Sequence, residues 1–194
     1  MGSEHRSGVG EMKDAFAAAL VELGTVGAAL DAAELERLAA SIAAAGRVAL
    51  YGCGREGLMM RALAMRLHHL GLAVGYQGEM TCPPVGRGDL FLCSAGPGEL
   101  ATVTALIRVA RGAGAEVALL TAEPGAKAAA LADLVVTIPA RTMARDRAAP
   151  TSTLPMGSLY EGALFLMFEA LVLDLQARLG VSPEAMRARH TNLE

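Results

Sequence analysis

The sequence predicts an α/β fold, a five-stranded parallel sheet with helices on both faces. Three observations carry that expectation. Short apolar runs at Val48 to Tyr51, Leu72 to Tyr76, Asp89 to Cys93, Glu116 to Leu120 and Leu134 to Ile138 have strand length, and unbroken runs of this kind suit strands buried on both faces. Helical stretches alternate with these strands, which is the pattern that gives parallel pairing. Two strands run directly into glycine-rich turns, Gly52-Cys53-Gly54-Arg55-Glu56-Gly57 and Ser94-Ala95-Gly96-Pro97-Gly98-Glu99. Ligands of such sheets sit at the carboxyl ends of the strands, beside the switch in strand order.

Taken in order, residues 1–9 read as a flexible leader, and residues 10–194 as a single domain with helices added at both ends. Glu11 to Leu30 carries Phe16, Leu20, Leu23 and Val26 near a helical period. Asp31 is an N-cap for a second helix, Ala32 to Ala45, which Gly46 closes. Behind the first strand and its glycine turn, Leu58 to Leu70 is helical and ends at Gly71. The second strand is weakened by Gly75, and Gly78 to Pro84 is a loop forced by two prolines. A helix from about Glu99 to Gly112 follows the second glycine turn, and a short one from Ala126 to Ala132 precedes the fifth strand. Arg141 to Met156 reads as a mobile flap over the site. Ser158 caps a long helix to Leu179, apolar nearly all round and so buried, in part against a partner subunit. Ser182 caps a last helix, Pro183 to Arg189.

Composition narrows the function. At 194 residues the chain suits one full α/β domain. A net charge of -3 with scattered basic residues argues against nucleic acid. The longest apolar stretch, Ala163 to Leu175, is interrupted by Glu169 and Asp174 and is too short to span a membrane. The start leads into no apolar core, so no signal peptide is expected. Cys53, Cys82 and Cys93 are odd in number and read as reduced thiols of a cytoplasmic protein. No C-x-x-C or H-x-x-x-H spacing suggests a metal.

Gly52, Gly54 and Gly57 fit G-x-G-x-x-G, the dinucleotide fingerprint, and Glu79 lies near the distance of its acidic partner. On spacing alone a dinucleotide, another anion or an empty tight turn remain open. Whatever the ligand, amide groups and the positive end of a helix favour an anion at such a turn.

Longer segments narrow this. Gly52 to Gly57, Ala64-Met65-Arg66-Leu67-His68-His69-Leu70-Gly71, Gly78 to Pro83, Gly88-Asp89-Leu90, Ala132-Asp133, Met156 to Glu161 and Arg189-His190-Thr191-Asn192-Leu193-Glu194 together resemble the sugar isomerase (SIS) domain family, most of all its 6-phospho-3-hexuloisomerases. The resemblance runs from the first helix to the last residue. It implies a flavodoxin- or Rossmann-like three-layer sandwich, a homo-oligomer (tetramer or dimer) with sites between subunits, and neither metal nor nucleotide cofactor. It also implies isomerisation of 3-hexulose 6-phosphate to fructose 6-phosphate in the ribulose monophosphate pathway, through an enediol. By the same resemblance Glu161 is the catalytic base, His190 a proton shuttle that a neighbouring subunit can supply, and His69 a further polar contact. Arg55 faces the enediolate or phosphate, and Gly54, Glu56, Glu79, Ser94, Gly96 and Gly98 complete the substrate-binding set.

Each of these residues also has a structural reading. Glu161 in a first helical turn complements the helix dipole, Arg55 can pair with Glu56 or Glu79, His69 can close a helix, and His190 can lie in a frayed tail. The sequence also departs from the family pattern where an anion should sit. Relatives carry serine where Glu56 stands, and S-G-S-G-E-T where this chain has Ser94 to Leu100. Pro97 removes an N–H donor, while Glu56 adds a negative charge. Either Glu56 turns away, with Gly96 and Gly98 holding phosphate, or the pocket takes a different sugar. Thr102 and Thr121 are candidate replacement hydroxyls. A non-catalytic sugar-phosphate sensor and a dehydrogenase are the other readings.

Overall fold

The computed structural model describes residues 8–145 and 152–193. Residues 1–7 of the expected leader and 146–151 of the expected flap lie outside the described residues. Five strands, β1 (Val48–Gly52), β2 (Val74–Tyr76), β3 (Leu90–Ser94), β4 (Glu116–Thr121) and β5 (Leu134–Thr137), form one parallel sheet in the order β2-β1-β3-β4-β5.

Side chains alternate along each strand and divide the core. Leu50, Leu90, Leu92, Leu120 and Val136 face one layer; Ala49, Phe91, Cys93, Val117 and Leu119 face the other. The first layer holds α2 (Ala32–Ala44), α3 (Gly54–His69) and α5 (Ser158–Leu179), through Leu38, Ile42, Met60, Leu63, Leu67, Leu164, Phe168 and Leu175. The second holds α4 (Ala101–Gly112), through Val103 and Ile107. Outside the first layer α1 (Gly8–Ala28) packs on α5, and α6 (Pro183–Ala188) on α3. No single helix among the described residues is long and apolar enough to cross a membrane.

Several boundaries differ from expectation, each for a local reason. α1 begins at Gly8, inside the expected leader. α3 begins at Gly54, not beyond Gly57: Cys53 is extended, and a φ of +56° at Gly54 swings the chain into the helix at once. Arg55 and Glu56 are therefore first-turn residues. α4 starts at Ala101 because the chain first closes a turn, with Gly98 N donating to Ala95 O at 2.8 Å and a φ of +88° at Gly98. The short helix expected over Ala126 to Ala132 is reduced to a 3₁₀ turn, Ala129–Leu131. Gly157, left-handed at φ 83°, caps α5 in place of Ser158, which is the first helical residue. There a Cβ would stand 2.8 Å from Met143 N, so the strand-to-helix connection is pressed against its own earlier part.

The tightest approach lies between β1 and α3. A Cβ on Gly57 would meet Gly52 O at 2.4 Å and Tyr76 Oη at 2.7 Å, while Tyr76 Oη donates to Gly52 O at 3.0 Å. No rotamer change relieves a clash with backbone. Gly57→Ala should therefore destabilise the fold by about 3 kcal/mol, the upper end for overpacking, measured by urea unfolding; a loss below about 1 kcal/mol would mean that α3 can shift.

Candidate active site

β1 and β3 lie side by side with Gly52 paired to Ser94, and their connections leave for opposite faces of the sheet. That divergence opens a crevice at the switch point. The cavity there has a volume of about 340 Å³ and is lined from three directions. Cys53, Gly54, Arg55 and Glu56 come from the start of α3, Pro97 and Leu100 from the β3 turn, and Thr142, Met143, Met156, Gly157, Tyr160 and Glu161 from the segments before and within α5. The described ends of the expected flap thus form one wall. Its later part is tied to α1, where Glu22 accepts from Ser152 Oγ at 2.5 Å and from Thr153 N at 2.7 Å.

Glu56 is turned inward. Ser94 Oγ donates to its Oε2 at 2.5 Å, and Gly96 N lies 3.2 Å from Oε1 and 3.0 Å from Oε2. Tyr160 Oη, buried, is 3.2 Å from Ser94 Oγ. Burial pushes the Glu56 carboxyl above its ordinary pKa; the Ser94 and Gly96 donors pull it back, and nearby Glu161 pushes it up again. Gly96 leaves no space beside it, since a Cβ would stand 2.9 Å from the Tyr160 ring and 3.0 Å from Glu56 Oε1.

Glu161, in the first turn of α5, is the other carboxylate of the cavity. Its side chain is 13% exposed, and its Oε2 lies 2.8 Å from Arg55 Nε. The pair is close but off the angle of a hydrogen bond, so Oε2 is buried without a hydrogen-bonding donor among the described residues. Burial raises the Glu161 pKa, and Arg55 lowers it by a smaller amount. Arg55 therefore pairs across the cavity and not with Glu56 or Glu79.

The remaining predicted residues fall elsewhere or are already engaged. Gly98 has its N–H committed to Ala95 O, so it is not a free donor. Glu79 pairs with Arg61 at 3.0 Å, and that guanidinium lies 3.9 Å from the Tyr76 ring centroid at the β2 edge, outside the cavity. His69 and His190 stand together with ring centroids 5.1 Å apart, and Arg189 Nη1 donates to His69 O at 3.0 Å. They lie at the far end of α3, about 20 Å along its axis from Gly54. A single chain thus brings Gly54, Arg55, Glu56, Ser94, Gly96 and Glu161 together and leaves Glu79, His69 and His190 apart. Of the candidate replacement hydroxyls, Thr121 Oγ1 accepts from Glu123 N at 3.0 Å, and Thr102 is exposed on α4.

Two hydroxyl-bearing lining residues were missed from the sequence. Tyr160 reads there as one more apolar residue of a buried helix; its place directly before Glu161 is the signal that could have found it. Thr142 sits in the linker with no motif around it, yet it is 3% exposed and its Oγ1 has no hydrogen-bond partner among the described residues. No group of three or more His, Cys, Asp or Glu side chains among the described residues could hold a metal ion.

Comparison with known proteins agrees with this architecture. Residues 41–167 match the SIS domain. The chain is 39% identical to a 3-hexulose-6-phosphate isomerase of Mycobacterium gastri over 89% of its own length and 86% of the relative's. It is 33% identical to one of Bacillus subtilis, over 90% and 95%. Among solved structures it is similar to a Methanococcus jannaschii protein whose crystal structure infers a molecular function of 3-hexulose-6-phosphate isomerase, with a TM-score of 0.79 and 25% identity over 95% of this chain and 99% of that one. With the site at the carboxyl edge of β1 and β3 and these relatives matched along most of its length, the chain belongs to the SIS family, among the 3-hexulose-6-phosphate isomerases.

Proposed function

We propose that this chain interconverts 3-hexulose 6-phosphate and fructose 6-phosphate, moving a carbonyl by one carbon through an enediol. One observation carries the reading: Glu161 projects into the cavity with a buried oxygen that has no hydrogen-bonding donor among the described residues, opposite the Arg55 guanidinium. Glu161 takes the proton from carbon, and a carboxylate with a raised pKa is a stronger base than an ordinary one. Arg55, released from Glu161 as that charge is neutralised, faces the enediolate oxygen. The rearrangement has no net oxidation, so the chemistry calls for no redox cofactor.

The His69–His190 pair serves as the proton shuttle for the cavity of a neighbouring subunit. The exposure of His190, over the buried His69 at the opposite end of α3, supports that assignment, as does a surface suited to self-association. Val9, Met12, Phe16 and Leu20 of α1 are 61%, 70%, 67% and 53% exposed, and Phe165, Leu166 and Leu173 of α5 are 46%, 49% and 69% exposed. A groove of about 510 Å³ runs between the two helices. Exposed apolar helix faces of this kind suit a contact between copies, giving a dimer or tetramer. Residues 10–194 act as one unit in that assembly. Free Cys53, Cys82 and Cys93 suit a reducing cytoplasm, and the reaction belongs to the ribulose monophosphate pathway.

Glu161→Gln should lower exchange of solvent deuterium into fructose 6-phosphate by about a thousandfold, within the range for loss of a general base, with little change in KM; unchanged exchange would remove Glu161 from the mechanism. The base must be ionised, and its pKa is raised. The acid limb of kcat/KM should therefore lie above the ordinary glutamate value, and Arg55→Ala, by deleting the cation that lowers it, should move the limb to still higher pH. A limb at or below the ordinary value would contradict the assignment. Placing Asp at both Phe16 and Leu166 should give a smaller species in light scattering and abolish exchange together; a monomer that retains exchange would show that His190 is not supplied in trans.

A further inference from the structure

We infer that Glu56 is a specificity-determining residue: its carboxylate stands where the charged end of the sugar must bind, so a phosphate enters only by displacing it from Ser94 and Gly96. This rests on the isomerase reading and concerns how tightly the substrate's charged end is held.

The basin is an anion site in its own right, because it already holds an anion. Ser94 Oγ, the Gly96 N–H and the positive end of α3 converge on one carboxylate. Ser94 is fully buried, and the wall at Gly96 has no slack against Tyr160, so a phosphate cannot sit beside Glu56 on the same donors. Among the described residues Arg55 is the one basic side chain lining the cavity, and it is paired with Glu161. No other cationic side chain among the described lining residues offsets two further negative charges while Glu56 stays in place. Thr142 adds an independent sign that the cavity awaits a polar group. Its buried hydroxyl lines the same wall without a partner among the described residues, and a buried hydroxyl left so is costly unless a ligand or water completes it. The relatives named above act on a 6-phosphate. In this chain the equivalent charge is contributed by the protein, and the affinity gained from a phosphate falls by the cost of expelling Glu56.

The test is isothermal titration calorimetry of the full chain with fructose 6-phosphate, fructose and inorganic phosphate, on wild type, Glu56→Ser and the isosteric Glu56→Gln. Removing the internal competitor should tighten fructose 6-phosphate about a hundredfold in Glu56→Ser, the scale on which one close like charge acts. Binding of unphosphorylated fructose should stay within a few-fold, and inorganic phosphate should become a measurable ligand. Glu56→Gln keeps the shape but not the charge and should fall between; should the serine variant fail to fold, the glutamine variant decides by the same comparison with wild type. Equal or weaker binding of fructose 6-phosphate, or equal tightening of fructose and its phosphate, would overturn the inference. Deuterium exchange, read separately, distinguishes the two claims. Exchange lost in Glu161→Gln without tightening at Glu56 leaves the isomerase and removes this inference. Tightening without exchange in any variant does the reverse.

Discussion

The approach of α3 to the end of β1 governs the geometry of this molecule. Gly52 and Gly57 touch with no room for a Cβ, and Tyr76 Oη clasps Gly52 O from the next strand. That contact sets the height at which α3 begins. With the helix starting at Gly54, Arg55 and Glu56 leave its first turn on the side facing β3 and α5, within reach of Ser94, Gly96 and Glu161. A shift of α3 by a fraction of a turn would separate all three. The parallel pairing of β1 with β3 contributes the other half, because it brings Ser94 level with Gly52.

The cavity built on that contact is electrostatically frustrated. Two carboxylates, Glu56 and Glu161, share a space with one guanidinium, and burial disfavours charge on both. The conflict is resolved asymmetrically. Glu56 takes the hydroxyl and amide donors, which are strong partners for a carboxylate. Glu161 takes the arginine in a misaligned pairing that leaves an oxygen without a hydrogen-bond donor among the described residues. Two like groups in one cavity thus sit in separate environments. Tyr160 joins the two halves, touching Ser94 and adjoining Glu161 in α5.

Much of the fold was legible from local pattern. Strands buried on both faces read as unbroken apolar runs, and Asp31 and Ser182 capped α2 and α6 as their side chains suggested, with Asp31 accepting from Ala33 N and Glu34 N and Ser182 from Ala185 N. Boundaries that depend on close packing were not legible. The early start of α3 rests on one left-handed glycine, and the cap of α5 on Gly157 pressed against Met143, a contact between segments that sequence spacing does not describe. Within the site, the glycine turns and Glu161 stood out by position, whereas Thr142 carried no signal, because its burial comes from the path of the linker.

By itself the sequence determined the parallel sheet, the two turns at its carboxyl edge and the presence of a carboxylate in an anion-favouring place. Those properties follow from residue type and spacing, which act over a few positions. Only the tertiary structure decided which way Glu56 points, which partner Arg55 takes, and that His69 and His190 lie together away from the cavity of their own chain. Side-chain direction and pairing depend on donors brought in from Ser94, Gly96 and α5, tens of residues distant along the chain, and no local pattern encodes them.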